Sequence, residues 1–191
     1  HVRDVNISQR ILDCHSAFEK ISLLKQNLDD YFKTSIEIIA GGSPTFPIHA
    51  NRKDVTCSPG TFVFWDYGYQ LSCPEQNFIP SIWIATRIIS IIDDQTICTD
   101  LGHKAVAAEN ALDKRIYVLN DPDLKVIGQS EEHLILHKKE KHQYKVGDIL
   151  FALPYHVCPT IALYNELHVV QNQELTNEVW NVTARSRKIT I

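Results

Sequence analysis

A histidine and a cysteine stand two positions apart at His156-Val157-Cys158, within ALPYHVCPT, just after the apolar run Ile149-Leu150-Phe151. In an extended chain alternate side chains share a face, so an imidazole nitrogen and a thiolate would reach one spot. That donor pair suits zinc. A structural zinc is enclosed wholly by protein ligands and a catalytic one keeps a position open, so further ligands are needed in either case. The bland alternative is a half-buried histidine beside a free core cysteine, a residue type that is often buried.

Other groupings could also do chemistry. Gly41-Gly42-Ser43-Pro44-Thr45 follows the apolar run Ile36 to Ala40, and its backbone amides and hydroxyls could cradle a phosphate or simply form a tight turn. Asp100-Leu101-Gly102-His103-Lys104 gathers an acid, an imidazole and an amine around one glycine. Such a loop either meets a substrate or is merely solvated. In Glu131-Glu132-His133 a carboxylate adjoins an imidazole, although neighbouring strand residues face opposite ways. Asp66 to Tyr69 reads as a strand end and turn, and His137 to His142 as a hairpin tip with solvated charges.

Composition narrows the classes. The chain has 191 residues, 44% of them hydrophobic and 22% charged, as in an ordinary globular protein. A net charge of -4 gives no electrostatic support for nucleic-acid or anionic-membrane binding. The apolar stretch from Phe78 to Ile92 is broken by Pro80 and Arg87 and is too short to span a bilayer. Five cysteines without CxxC spacing fit reduced thiols in the cytoplasm, the expected compartment, and no secretory leader opens the sequence. Without a leader, the Asn6 and Asn181 sequons count as chance. The chain lacks methionine and opens on His1-Val2-Arg3, as a processed or partial polypeptide would.

The elements that must position these groups have two textures. Apolar residues at Ile11, Leu12, Phe18, Ile21, Leu24, Leu28 and Tyr31 predict an amphipathic helix over Ser8–Phe32 capped by Ser8, followed by a short strand and the glycine turn. After Pro47 come short β-branched and aromatic runs between Pro, Gly, Asn and Asp clusters, among them Thr61–Trp65, Ile82–Ile89, Gln95–Cys98, Glu132–Leu136 and Asp148–Phe151. They predict a mainly β protein, an antiparallel barrel or sandwich after a short α/β segment.

The pieces GGSPTFP, PGTFVFWDYGY, TDLGHKAVAAE, IGQSEEHLIL, VGDILFALPYHVCPTIALYNELHVV and WNVTARSR occur in an order that resembles the C-terminal half of the D-serine dehydratase and D-threonine aldolase family. These are fold-type III pyridoxal-phosphate enzymes, related in architecture to alanine racemase. The resemblance implies that residues 1–47 are the last helix and strand of a cofactor-binding (β/α)8 barrel, and that 48–191 form the β domain. It places Gly41, Gly42, Ser43 and Thr45 in the phosphate loop and makes His156 and Cys158 a zinc pair. The aldolase branch carries aspartate in place of this cysteine and uses manganese or magnesium, so Cys158 favours a dehydratase. Weaker candidates for catalytic roles are His103, Lys104 and His133.

The activity implied is β-elimination of a β-hydroxy D-amino acid to a keto acid and ammonia, with pyridoxal phosphate and zinc, in a homodimer. D-threonine aldolase-like retro-aldol cleavage is the first alternative. A non-catalytic β interaction domain and an isolated zinc module are the others. The Schiff-base lysine of the family belongs upstream of the matched residues, so the chain is expected to lack it, and Ser186 stands where the family pattern expects glycine.

Overall fold

The computed structural model describes residues 2–188. It divides into two compact units, one ending at Ser81 and one beginning at Ile82.

The N-terminal unit opens with helix α1, Ile7–Phe32. Its cap is Asn6, whose side chain accepts the Gln9 amide at 3.2 Å, so the helix starts slightly before the Ser8 cap expected from the sequence. Lys33 ends it in the left-handed region at φ 53°. Little of α1 is buried apart from Arg10 and Cys14. Arg10 is fully buried because its guanidinium donates to the carbonyls of Asp4 (2.7 Å) and Ser72 (3.1 Å) and pairs with Glu75. Strand β1, Ile38–Gly41, runs into the short helix α2, Phe46–His49, and pairs in parallel with β2, Val55–Ser58, with Gly41 opposite Ser58.

The expected strand Thr61–Trp65 is instead a 3-10 turn, Thr61–Val63, leading into helix α3, Tyr67–Ser72. Asp66 begins that helix rather than ending a strand, its carboxylate accepting the Tyr69 amide at 2.8 Å. Tertiary packing overrides β propensity here. Trp65, fully buried at φ 52°, packs its ring 5.1 Å from Phe78 and 5.2 Å from Tyr69, and Phe62 lies 5.6 Å from Phe78. Residues 48–81 therefore lie in the N-terminal compact unit, which ends well beyond the 47/48 boundary expected from the change of sequence texture and from the family resemblance.

The C-terminal unit is built on six antiparallel strands: β3 (Ile84–Ile91), β4 (Thr96–Thr99), β5 (Ile116–Val118), β6 (Lys125–Gln129), β7 (Leu134–His137) and β8 (Ile149–Pro154). They are ordered β5-β8-β3-β4-β7-β6. The β6 edge lies against the 3-10 turn Leu112–Lys114 that leads into β5, so the sheet curls into a nearly closed barrel. Ile84 and Ile88 of β3, Ile97 of β4, Leu134 and Leu136 of β7, and Leu150 and Ala152 of β8 fill its interior. Alternation along β3 sends Ala85 and Arg87 outward. The mainly β expectation holds.

His137 to His142 is not a hairpin tip, because β7 pairs with β4 and β6 and not with β8. Lys138 there is ion-paired with Asp121 at 2.7 Å, and Asp121 also accepts the Tyr144 hydroxyl at 2.9 Å. After β8 come helix α4, Val157–Ile161, and a separate hairpin of β9, Glu166–Gln171, and β10, Glu174–Asn181. Asn172 and Gln173 turn it with φ 52° and 67°, the left-handed conformation a tight hairpin needs.

Candidate functional site

The histidine–cysteine pair sits on a helix start rather than a strand end. β8 stops at Pro154, His156 caps α4 with extended backbone, and Cys158 lies in the first helical turn. Pro159 is accommodated in that turn, where a missing N–H costs little, and the Thr160 hydroxyl donates back to the His156 carbonyl at 2.7 Å. The predicted meeting of the two side chains nevertheless occurs: the Cys158 side chain hydrogen-bonds that of His156.

A carboxylate completes the arrangement. Glu109 Oε1 lies 2.5 Å from His156 Nδ1. The contact with Cys158, and then that with Glu109, push His156 up to about 9, against the opposing effect of burial. Cys158 is exposed and His156 half-buried. Among the described residues, no three His, Cys, Asp or Glu side chains converge to hold a metal. Glu109 engages the ring nitrogen Nδ1, which leaves Nε2 as the second nitrogen of an N,S donor set of the kind zinc accepts. The pair supplies two donors, so any metal bound there would need its remaining ligands from elsewhere.

The loop that carries Glu109 is pinned to the same helix. Ala107 N–H donates to Thr160 Oγ1 at 3.2 Å in a buried contact, and Tyr164 donates its hydroxyl to the Ala105 carbonyl at 2.7 Å. Val106 between them is fully buried. At the loop's other end, a Cβ on Gly102 would collide with the Glu131 carbonyl and the Glu132 Cα, so only glycine permits the approach. His103 and Lys104 donate their amides to the carbonyls of Ser130 (2.9 Å) and Glu131 (3.2 Å). Lys104 Nζ then pairs with Glu131 at 2.6 Å and Glu132 at 2.7 Å. These hydrogen bonds hold the amine strongly in its charged form, which suits a clasp better than a base. His133 lies exposed on the β6–β7 turn, with Nδ1 3.5 Å from Ser130 Oγ.

In the N-terminal unit, the glycine loop stands at the carboxyl end of β1. Gly42 has φ 97°, and a Cβ on Gly41 would sit 3.3 Å from the Ser58 carbonyl. Ser43 is buried, and its carbonyl accepts the Gln76 side chain at 3.0 Å. The Thr45 hydroxyl points back to the Gly42 carbonyl at 3.3 Å. The loop thus offers backbone more than hydroxyls. Gly41, Gly42 and Thr45 line a cavity of about 440 Å³ together with Phe18, Cys14 and His49.

Sequence reading passed over that second thiol–imidazole pair. Cys14 Sγ lies 3.5 Å from His49 Nε2, both side chains are buried, and among the described residues His49 Nδ1 has no hydrogen-bond partner. Burial, then the charges of Arg52 and His15, lower the His49 pKa. Thr160, Tyr164 and the role of Glu109 were missed too. Their contacts join segments tens of residues apart, and the one available signal was Glu109 at the end of the GHKAVAAE motif.

The serine dehydratase domain family matches residues 81–170, which include Glu109, His156 and Cys158. D-serine dehydratase of Dictyostelium discoideum is 24% identical over 131 residues, covering 60% of this chain and 33% of its own. D-threonine aldolase from Filomicrobium marinum superposes with a TM-score of 0.83 at 21% identity, over 97% of this chain and 50% of its own. D-threo-3-hydroxyaspartate dehydratase from Delftia sp. HT23 does so with a TM-score of 0.60 at 18% identity, over 76% and 43%. That dehydratase is also known as a histidine-to-alanine mutant and as a cysteine-to-alanine mutant in metal-free form, the two changes two positions apart. The chain spans half or less of the length of these relatives. By sequence over residues 81–170 and by fold beyond them, the chain resembles the D-serine dehydratase and D-threonine aldolase group of alanine racemase-like, fold-type III pyridoxal-phosphate enzymes.

Proposed function

We propose that this chain is the C-terminal portion of a pyridoxal-phosphate- and zinc-dependent carbon–oxygen lyase acting on a β-hydroxy D-amino acid, in the manner of a D-serine dehydratase. The observation that carries the reading is the side-chain contact of His156 with Cys158 at the start of α4, inside the segment that matches the serine dehydratase domain. The histidine and cysteine changes in the hydroxyaspartate dehydratase, with the same residue types and spacing, support it.

Bound pyridoxal phosphate supplies an electron sink for charge developing at the α-carbon, and zinc a Lewis acid for the departing β-hydroxyl. Gly41 and Gly42 would offer backbone amides to the phosphate, with Ser43 and Thr45 shaping the turn that the left-handed φ at Gly42 permits. His156 offers Nε2 and Cys158 its sulfur to the metal. Loss of the α-proton and the β-hydroxyl together removes water, and hydrolysis of the resulting enamine gives a keto acid and ammonia. Cys158, where an aldolase of this family would carry aspartate, favours elimination over retro-aldol cleavage.

The test uses the full-length product of the gene, supplied with pyridoxal phosphate and assayed with D-serine and D-threonine. Ammonia and keto acid in step with bound zinc are the expected products. Glycine and an aldehyde would make it an aldolase, and no turnover in a zinc-free protein would favour a non-catalytic β domain.

A further inference from the structure

We infer that Glu109 is a positioning residue for the metal ligand His156, an inference that rests on the His156–Cys158 metal reading. A ligating imidazole uses one nitrogen for the metal, and the hydrogen bond at the other fixes its tautomer and ring orientation. Glu109 Oε1, 2.5 Å from Nδ1, holds the proton on that nitrogen and leaves the Nε2 lone pair for the metal. The same oxygen accepts the Asn110 side-chain amide at 3.3 Å, a second restraint on the carboxylate.

A surface carboxylate on a free loop would gain little from such a contact, because ordering both side chains opposes it. Here the backbone is ordered already. Two residues before Glu109, the Ala107 amide is bonded to Thr160 Oγ1, and that hydroxyl donates to the carbonyl of His156 itself. Tyr164 ties the loop to the chain just after the same helix through the Ala105 carbonyl. Carboxylate and imidazole are therefore carried by backbones joined through one threonine. Gly102, in close contact with the Glu131–Glu132 turn, anchors the loop's other end.

The test is zinc affinity, measured by chelator competition on the full-length protein and its Glu109→Ala, Glu109→Gln and His156→Ala variants. A long-range proton–nitrogen spectrum of the zinc-loaded protein reports which His156 nitrogen bears the metal. Losing an outer partner of this kind weakens metal binding by roughly 10–100-fold, and that loss is expected for Glu109→Ala. Glu109→Gln, which keeps an acceptor oxygen, is expected to recover part of it with Nε2 still metallated. Unchanged affinity in Glu109→Ala, where His156→Ala abolishes binding, overturns the inference alone. Metal on Nδ1, with Gln as poor as Ala, also overturns it by making Glu109 a ligand itself. No zinc in the parent protein, or zinc retained in His156→Ala, overturns the underlying metal reading with it.

Discussion

Two histidine–cysteine pairs, one in each unit, show how surroundings decide what the same two side chains can do. Cys14 and His49 lie 3.5 Å apart, both buried, and burial lowers the histidine's pKa. Cys158 and His156 also touch, but one is exposed, the other half-buried, and a carboxylate backs the ring, whose pKa is raised to about 9. In the first pair burial disfavours the charged form of His49. In the second, the Cys158 and Glu109 contacts favour the charged imidazolium of His156. The lesson is that a histidine–cysteine spacing identifies a pair, while the third partner and the exposure identify its chemistry.

The largest expected effect separates the pairs by metal. Zinc measured by elemental analysis should vanish in His156→Ala and in Cys158→Ala and persist in Cys14→Ala. Loss in the last variant alone would reverse the assignment. Thiol labelling comes next: Cys158 is expected to react with a charged disulfide reagent roughly 100-fold faster than Cys14, which must wait for an opening costing about 3 kcal/mol. Mass spectrometry at early times reads the order. Stability should run the other way, since His49→Ala empties a buried site and is expected to cost roughly 2 kcal/mol in urea unfolding, against under about 1 kcal/mol for His156→Ala.

The smallest effect is on pH, in protein stripped of metal. His156 is raised, so its stabilising contribution is complete below the ordinary histidine value near 6.5 and is lost as pH rises through about 9. His49 is lowered, so its contribution is present above 6.5 and lost as pH falls through the depressed value. His156→Ala should flatten the alkaline side of the unfolding profile and His49→Ala the acid side. Equal flattening on one side would remove the contrast.

Some of this was legible in the sequence because it depends on neighbours along the chain. The α1 helix, the short strand before Gly41-Gly42 and the strand within Ile82–Ile89 emerge to within a few residues, but the apolar stripe predicted along α1 lies mostly exposed at Leu12, Leu24 and Tyr31, and the helix buries Arg10 and Cys14 instead. His156 and Cys158 were picked out by spacing, and they do touch, though on a helix cap rather than a strand. What was not legible is long-range. Trp65 and its aromatic neighbours pull a β-rich run into a 3-10 turn. Glu109 meets a histidine 47 positions away, and the backbones that carry the two are joined by Thr160, a residue whose type alone signals nothing. The Cys14–His49 pair spans 35 positions and two elements, beyond any local pattern.

The close approach at Gly102 has a kinetic consequence. His103 and Lys104 look like residues of an open surface loop, yet their amides are satisfied by the backbone of the Glu131–Glu132 turn. Neither amide can exchange with solvent deuterium until the two segments part, so stretches far apart in sequence form one cooperative opening unit. Their exchange rates should rise and fall together, independently of the Ala107–Thr160 and Tyr164–Ala105 bonds that hold the Glu109 end of the loop.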